Sequence, residues 1–461
     1  MTKIERRQMI KSLGAISFGI AAPSLSKGEE LVRPYEIKKQ TLETDVLIIG
    51  GGTAGVIAAI QAGRAGARTM LIENGSQLGG TTTTGGVSFP GIFHAWGKQV
   101  IAGIGWELVS ESVELDGGIL PNFSIIPNNK SISHWRHQIN VNGPLYAMLA
   151  EEKCLDAGVH IRYYETPKEI TFNKGNWVVK SSGKGIETEI SCNQLIDCSG
   201  NAIAASMAGF DLLREEDTQP GSFIFRIGGY DFNALDLTKI PKQYHQALKQ
   251  NSISTQAVDS DTSFPTTVPY GYVYVPGADS TTSETHTQAN IQGRSNLLKL
   301  LRTLRTFPGC ENIKVLDTMT ETAVRETYRI DGIYKVMHQD YVEGKVFEDS
   351  ISHSFYPIDL HRDGKSIYQE FLKPEVVACI PLRALIPKGS KNFLVAGRCI
   401  SSDRLANSAL RVQASCMGMG QAAGAAAALA NRKGTTPAEV PMDELRSLIE
   451  EHGGIVPRSK A

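Results

Sequence analysis

Gly50-Gly51-Gly52-Thr53-Ala54-Gly55 has the spacing G-x-G-x-x-G, and Glu73 stands 23 residues after its first glycine. The three glycines do different work. Gly50 permits a tight turn, Gly52 lets backbone come close to a pyrophosphate, and Gly55 lets a helix pack against a strand. Phosphates then sit where unpaired N–H groups and the helix dipole favour anions. An acid at Glu73 is placed to accept hydrogen bonds from ribose hydroxyls and to repel a 2′-phosphate. The chemistry implied is dinucleotide binding.

Three more glycine-bearing stretches bear on which dinucleotide. QLGGTTTTGGVSFPG (77–91) holds Gly79, Gly80 and Thr81, and its N–H and hydroxyl donors suit a ribityl chain and an isoalloxazine ring. LIDCSGNA (195–202) holds Gly200, and NFLVAGRCIS (392–401) holds Gly397 and Arg398 ahead of a small-residue helix with Gly418 and Gly420. A helix start there would face the flavin N1/O2 edge, where reduction places negative charge; such stabilisation is worth roughly 0.3–2 kcal/mol. Loops converging in this way form a flavoprotein pattern. The residues expected to hold FAD are therefore Gly50, Gly52, Thr53, Ala54, Gly55, Glu73, Gly79, Gly80, Thr81, Gly200, Gly397, Arg398, Gly418 and Gly420. No second G-x-G-x-x-G follows an apolar strand, so a separate nicotinamide site is not expected.

Flavin chemistry moves a hydride and needs a proton handled nearby. SHSFYPIDLH offers His353, Tyr356, Asp359 and His361; IPLRALIP offers Arg383; RLANSALRV offers Arg404 and Arg411. His353 or His361 is expected to handle the proton, with Arg383 or Arg411 holding substrate oxygens. Arg325 and Glu326 read as a structural pair. His94, in FPGIFHAWGKQ, would flank the flavin, be linked to it, or be an ordinary polar neighbour. Tyr270, Tyr272 and Tyr274 share one strand face, either as a sugar-stacking surface or as a packing stripe.

The elements that must position these residues are legible around them. DVLIIG is a continuous apolar strand, GVIAAIQAGRA a small-residue helix ended by Gly66, and ARTMLIE the second strand of a β–α–β unit. LYAMLAEEKCLDAG reads as a helix and VHIRYYE as the next strand. The texture changes near residue 216 and returns to α/β near 385, which implies a discontinuous nucleotide-binding domain. The 461 residues suffice for two or three domains, and a net charge of −1 offers no basic field for nucleic acid. Seven cysteines without a C-x-x-C pair read as buried free thiols, and no metal site is expected.

The start of the chain carries Arg6-Arg7, then Met9-Ile10 and Lys11, then an apolar run, SLGAISFGIAA, too short to span a membrane. This reads as a twin-arginine export signal over residues 1–26, with Glu5 and Met9 departing from the usual Ser or Thr and Phe. Such a signal suits a protein that folds around a cofactor before export. No stable membrane span is expected once it is removed.

GGGTAG, LGGTTT, RETYRIDG and the block from PLRALIPKGSKNFLVAGRCIS to SALRVQASCMGMGQAAGAAAALA resemble the FAD-dependent oxidoreductase family related to the fumarate reductase and succinate dehydrogenase flavoproteins. The resemblance spans about residues 44–432 and implies non-covalent FAD and two domains. Cys198, Ser199 and Asn201 depart from the commoner Ala, Thr and Asp.

The expected fold is α/β: an FAD/NAD(P)-binding Rossmann-like three-layer fold with an inserted α+β substrate domain. Its parts are a linker at 27–43, the FAD-binding domain at 44–215 and 385–435, the insert at 216–384, and a C-terminal helix and tail at 436–461. The expected protein is a periplasmic or otherwise extracytoplasmic oxidoreductase. It would exchange a hydride between flavin N5 and a small polar substrate, carbohydrate-derived or bearing hydroxyl or carboxylate groups. An electron donor or acceptor, not named by the sequence, completes the turnover. Reduction of an activated C=C bond, or a non-catalytic flavin-binding or electron-relay role, are the alternatives.

Overall fold

The computed structural model describes residues 36–124, 131–250, 270–362 and 367–458. The architecture is that of the unit Lys38–Ala461; the segment read from the sequence as an export signal, 1–26, lies outside the described residues. In chain order the first elements are β1 (Lys38–Ile49), α1 (Thr53–Arg64), β2 (Thr69–Glu73), α2 (Gly143–Asp156), β3 (His160–Tyr163), β4 (Thr166–Asn173), β5 (Asn176–Gly183) and β6 (Ile186–Asp197). There follow β7 (Gly221–Gly228), β8 (Gly271–Val275), α3 (Ser283–Leu304), β9 (Lys314–Thr318), β10 (Ser350–Ser354), β11 (Ile358–Leu360), β12 (Tyr368–Glu370), β13 (Ala378–Pro381), β14 (Phe393–Val395), α4 (Arg404–Leu410), α5 (Gln413–Lys433) and α6 (Met442–Glu451). β1 starts at Lys38, inside the segment read as linker.

The main sheet is built on β1 and β6. β3, β2, β1 and β6 run parallel in that order, and β14 adds to the C-terminal part of β6, again parallel. Asp197 thus lies between Ile49 and Val395, at the carboxyl ends of three strands. β4 and β5 extend the N-terminal part of β6 as an antiparallel meander.

The apolar run of β1 is continuous because both of its faces are covered. Val46 and Ile48 join the cluster containing α1, α2 and α5, while Leu47 and Ile49 join Ile170, Trp177 and Val179 of the meander. Helices, parallel sheet and meander are the three layers of a Rossmann-like α/β fold.

α1 and α5 lie against each other at close range. A Cβ on Gly420 would come within 2.3 Å of the Ala54 carbonyl oxygen, and one on Gly424 within 2.3 Å of that of Ala58. The small residues read from the sequence are therefore what lets these helices touch. Gly66, with φ +85°, turns the chain out of α1.

β7 is the centre of a second, antiparallel sheet, flanked by β8 and β9. α3 starts at a capping box between Thr282 and Thr285 and packs on it. A cluster of its own, including Phe223, Phe225, Leu297 and Leu304, lies between them. All seven cysteines are buried free thiols. Among the described residues no helix is long and apolar enough to cross a membrane.

Candidate active site

A cavity of about 240 Å³ opens at the carboxyl ends of β1, β2 and β6. Crevices outside the carboxyl ends of parallel strands are where open α/β sheets bind ligands. Of the expected cofactor residues, Gly50, Gly52, Thr53, Ala54, Glu73, Gly80, Thr81, Gly200, Gly397 and Arg398 line it, and so does Arg411.

The glycine turn has the geometry its spacing implies. Gly50 has φ +98°, and its Cβ would collide with the Cys198 carbonyl. Gly52 caps α1 in an extended conformation, and a Cβ there would meet nothing within 4 Å. The first N–H groups of α1 have no intrahelical partner, and Thr53 and Ala54 lie on the cavity wall.

Glu73 accepts from Gly51 N–H and Gly75 N–H, both at 2.6 Å. Burial pushes its carboxyl up from the usual range, and those two N–H groups only partly offset this. Asp197 organises the third loop, accepting from Ser199 N–H at 2.9 Å, Ser199 O–H at 2.6 Å and Ala205 N–H at 2.9 Å.

Four expected cofactor residues lie elsewhere in the structure. Gly55 is a packing glycine, since its Cβ would sit 1.9 Å from the Gly50 carbonyl oxygen. Gly79 is a turn residue at φ +102°, packed on Thr83. Gly418 and Gly420 lie inside α5, against Ser352 and Ala54 respectively, because the helix begins earlier than the glycines suggest. The residue at its start is Gln413, which lines the cavity, accepts from Thr82 O–H at 2.6 Å and donates to the Val87 carbonyl at 2.7 Å. Its type carries no glycine signal, so sequence reasoning missed it. Arg398 is on the cavity wall, but its guanidinium donates to the carbonyls of Gly200 and Val324 and ties two loops together.

The expected proton-handling and substrate residues divide in two. His353 is on β10 beside Cys379 of β13, its Nδ1 3.7 Å from Sγ, and is not on the cavity wall. Arg383 pairs with Asp349, at 3.0 Å, with its side chain 45% exposed. Neither residue lines this cavity. Arg325 and Glu326 also do not pair with each other. Glu326 binds Arg329 and Arg404, whereas Arg325 donates to the Pro220 carbonyl and Ser222 Oγ and lies over the Tyr274 ring. His94 is stacked on Phe123, 3.7 Å between ring centres, in an aromatic box with Trp106.

His361 and Arg411 do come together. His361 Nδ1 is 2.9 Å from Tyr274 O–H, and its Nε2 is 3.0 Å from Asp359 Oδ2. Gln369 donates to the other oxygen of Asp359 at 3.0 Å. Gln219 Oε1 accepts from His361 N–H at 3.1 Å and from Arg411 Nη2 at 3.3 Å, and Arg411 also donates to the Asp359 carbonyl at 3.2 Å. A phenol, an imidazole and a carboxylate thus form a hydrogen-bonded chain joined to the cavity wall through Arg411. Burial lowers the His361 pKa, with Asp359 acting against it, while Asp359 is itself held low by His361 and Arg411 despite burial. Gln219 was missed because it is 142 residues from His361 in sequence.

The residues present fit FAD. Glu73 stands at the tip of β2, Gly52 leaves open space at the start of α1, and a second helix start borders the same cavity. Asn201 Oδ1, on the wall, is buried without a hydrogen-bond partner among the described residues. Among those residues no cluster of His, Cys, Asp or Glu is arranged to hold a metal ion.

The chain is similar in part to several known proteins. Nicotine dehydrogenase of Pseudomonas putida is 31% identical over 114 residues, 22% of this chain and 24% of that protein. Sarcosine oxidase subunit alpha of Rhizobium meliloti is 42% identical over 60 residues, 13% of this chain and 6% of that one. The matches span about a quarter or less of these curated relatives. Among solved structures, an anhydrotetracycline hydroxylase from Streptomyces rimosus aligns with a TM-score of 0.43 and 12% identity, covering 89% of this chain and 66% of that chain. The model of the family described as FAD dependent oxidoreductase matches residues 45–449. With that match over most of its length, the chain belongs to the FAD dependent oxidoreductase family and binds FAD.

Proposed function

We propose that this protein is an exported oxidoreductase that takes a hydride from, or gives one to, a carbon of a small polar substrate bearing hydroxyl or carboxylate groups. FAD, when bound, supplies the hydride-carrying centre. The observation that carries the reading is the Tyr274–His361–Asp359 chain adjoining the cavity at Arg411.

His361 is held neutral by burial and oriented at both nitrogens. It is therefore able to take a proton relayed by Tyr274 when a substrate hydroxyl is oxidised, and Asp359 then steadies the imidazolium. Run in reverse, the same chain returns the proton. Export rests on the Arg6-Arg7 segment.

The test is a pH–rate profile of His361→Gln and Asp359→Asn against the wild type. General acid–base groups contribute roughly 10²- to 10⁴-fold, so His361→Gln is expected to lose about that factor in kcat. The wild-type acid limb is expected below the ordinary imidazole value of about 6.5, because burial depresses this pKa, and to vanish in the variant. An unchanged acid limb in His361→Gln would remove the chain from the reaction.

A further inference from the structure

The glycine loops do not wall the cavity alone. Ser280, His286, Glu321, Thr322 and Ala323, from the part of the chain built around β7, border it as well. His286 lies near the start of α3, and Glu321 follows β9. His286 Nε2 stands 3.8 Å from Glu321 Oε2, beyond hydrogen-bond reach. The two side chains are 28% and 46% exposed, so the pair sits where the cavity meets solvent.

Backbone contacts tie this pair to the phosphate end of the cavity. The Glu321 N–H and the Thr320 hydroxyl both donate to the Thr84 carbonyl, at 3.4 Å and 3.3 Å. Thr84 belongs to the loop of Gly80, and a Cβ on Gly80 would lie 2.9 Å from the Gly52 Cα. Gly52 is the residue that leaves open space at the start of α1. Glu321 also acts on Glu73: after burial, its charge is a further cause that raises the Glu73 carboxyl. The pair thus adjoins both the ribose acid and the phosphate-binding turn.

The ionisable acids and bases on the wall are Glu73, Glu165, Glu321, Arg398, Arg411 and His286. Glu73 accepts two N–H groups, and Glu165 is held by Arg162 and Ser181. Arg398 donates to two loop carbonyls, and Arg411 to Gln219 and the Asp359 carbonyl. Glu326, Arg329 and Arg404 are linked to one another and lie off the wall. The side chains of His286 and Glu321 make no hydrogen bond among the described residues; their one contact is the 3.8 Å approach to each other. An imidazole can donate to a phosphate oxygen, whereas a carboxylate only repels it.

We propose that His286 is a ligand of the FAD diphosphate, exchanging its contact with Glu321 for a phosphate oxygen, and that Glu321 opposes the cofactor. The antiparallel-sheet part of the chain then holds FAD through a side chain of its own. The inference rests on FAD lying in this cavity and not on which substrate the flavin acts on.

The experiment dilutes the FAD-loaded protein and reads its affinity for FAD from the recovery of free-FAD fluorescence. His286→Ala is expected to weaken FAD about threefold to tenfold, and Glu321→Gln to tighten it about twofold to fivefold. Both effects are expected to shrink at about 1 M salt, where the screening length is about 3 Å. Each variant, stripped of FAD, is expected to melt as the wild type does, because an exposed pair at this separation holds little.

If the pair only joined α3 to the loop after β9, the two variants would shift affinity in the same direction. That outcome, or no change in either variant, overturns the proposal. So does a loss in His286→Ala that high salt leaves undiminished, which would mark packing instead of charge. Gly52→Ala keeps the premise separate: if it leaves FAD affinity unchanged, the cavity is not the cofactor site, and if it alone weakens FAD, the cavity stands and the His286 assignment falls.

Discussion

Arg383 and Arg411 have the same chemistry and opposite settings. Arg383 forms a partly exposed ion pair with Asp349, and such pairs contribute about 0–1 kcal/mol. Arg383→Ala is therefore expected to leave turnover within about twofold of the wild type and stability within roughly 1 kcal/mol, checked by kinetics and thermal unfolding. A large loss of turnover would return it to the site.

His94 carries a different expectation. Burial, followed by the neighbouring His137, lowers its pKa to about 4. The unfolded chain, with an imidazole near 6.5, binds its proton first, so stability is full above about 6.5 and is lost as pH falls from there toward 4. Linkage gives this a size of roughly 1–2 kcal/mol after solvent screening. His94→Leu is expected to unfold with less acid dependence over that window, measured by melting the holoprotein from pH 7 to 4. An unchanged slope would place the titration elsewhere in the cluster.

Helices α1 and α5 show how one residue type serves two ends. Gly424 is needed because a Cβ would strike the Ala58 carbonyl, whereas Gly52 faces open space at the cavity. Gly424→Ala is expected to cost about 1–3 kcal/mol of stability through overpacking. Gly52→Ala is expected to melt normally without FAD but to bind FAD about tenfold or more weakly, since the added methyl enters the cleft that the phosphates need. Equilibrium dialysis and apoprotein melting separate the two outcomes, and equal losses in both properties for both variants would contradict the division.

The β–α–β unit was legible because its signals are local: an apolar strand, a glycine turn and an acid within thirty residues or so of each other. The role of Gly418 and Gly420 was not, since helix-start glycines and helix-contact glycines look alike until the partner helix is known. The Tyr274–His361 contact was equally hidden, because it joins β8 to the end of β11 across 87 residues. Asp359 and His361 lie two apart on either side of Leu360, a spacing that leaves their partners open.

At the scale of the molecule, β6 joins the parts. Its first residues pair with the meander and its last with β14, so Asp197 ends between strands from distant parts of the chain. That junction sets the loops of Gly50, Gly200 and Gly397 around one cavity. Arg411, between α4 and α5, borders it on the side of the proton chain, where it meets Gln219. FAD held across so many segments would stabilise the folded state by mass action.

The most direct measurement is anaerobic mixing of the FAD-loaded protein with hydroxy acids, polyols and sugars while the flavin visible absorbance is followed. The expected result is loss of that absorbance with at least one of them, slowed in His361→Gln. Absorbance that dithionite abolishes but every compound in the panel leaves unchanged would contradict a substrate-oxidising site.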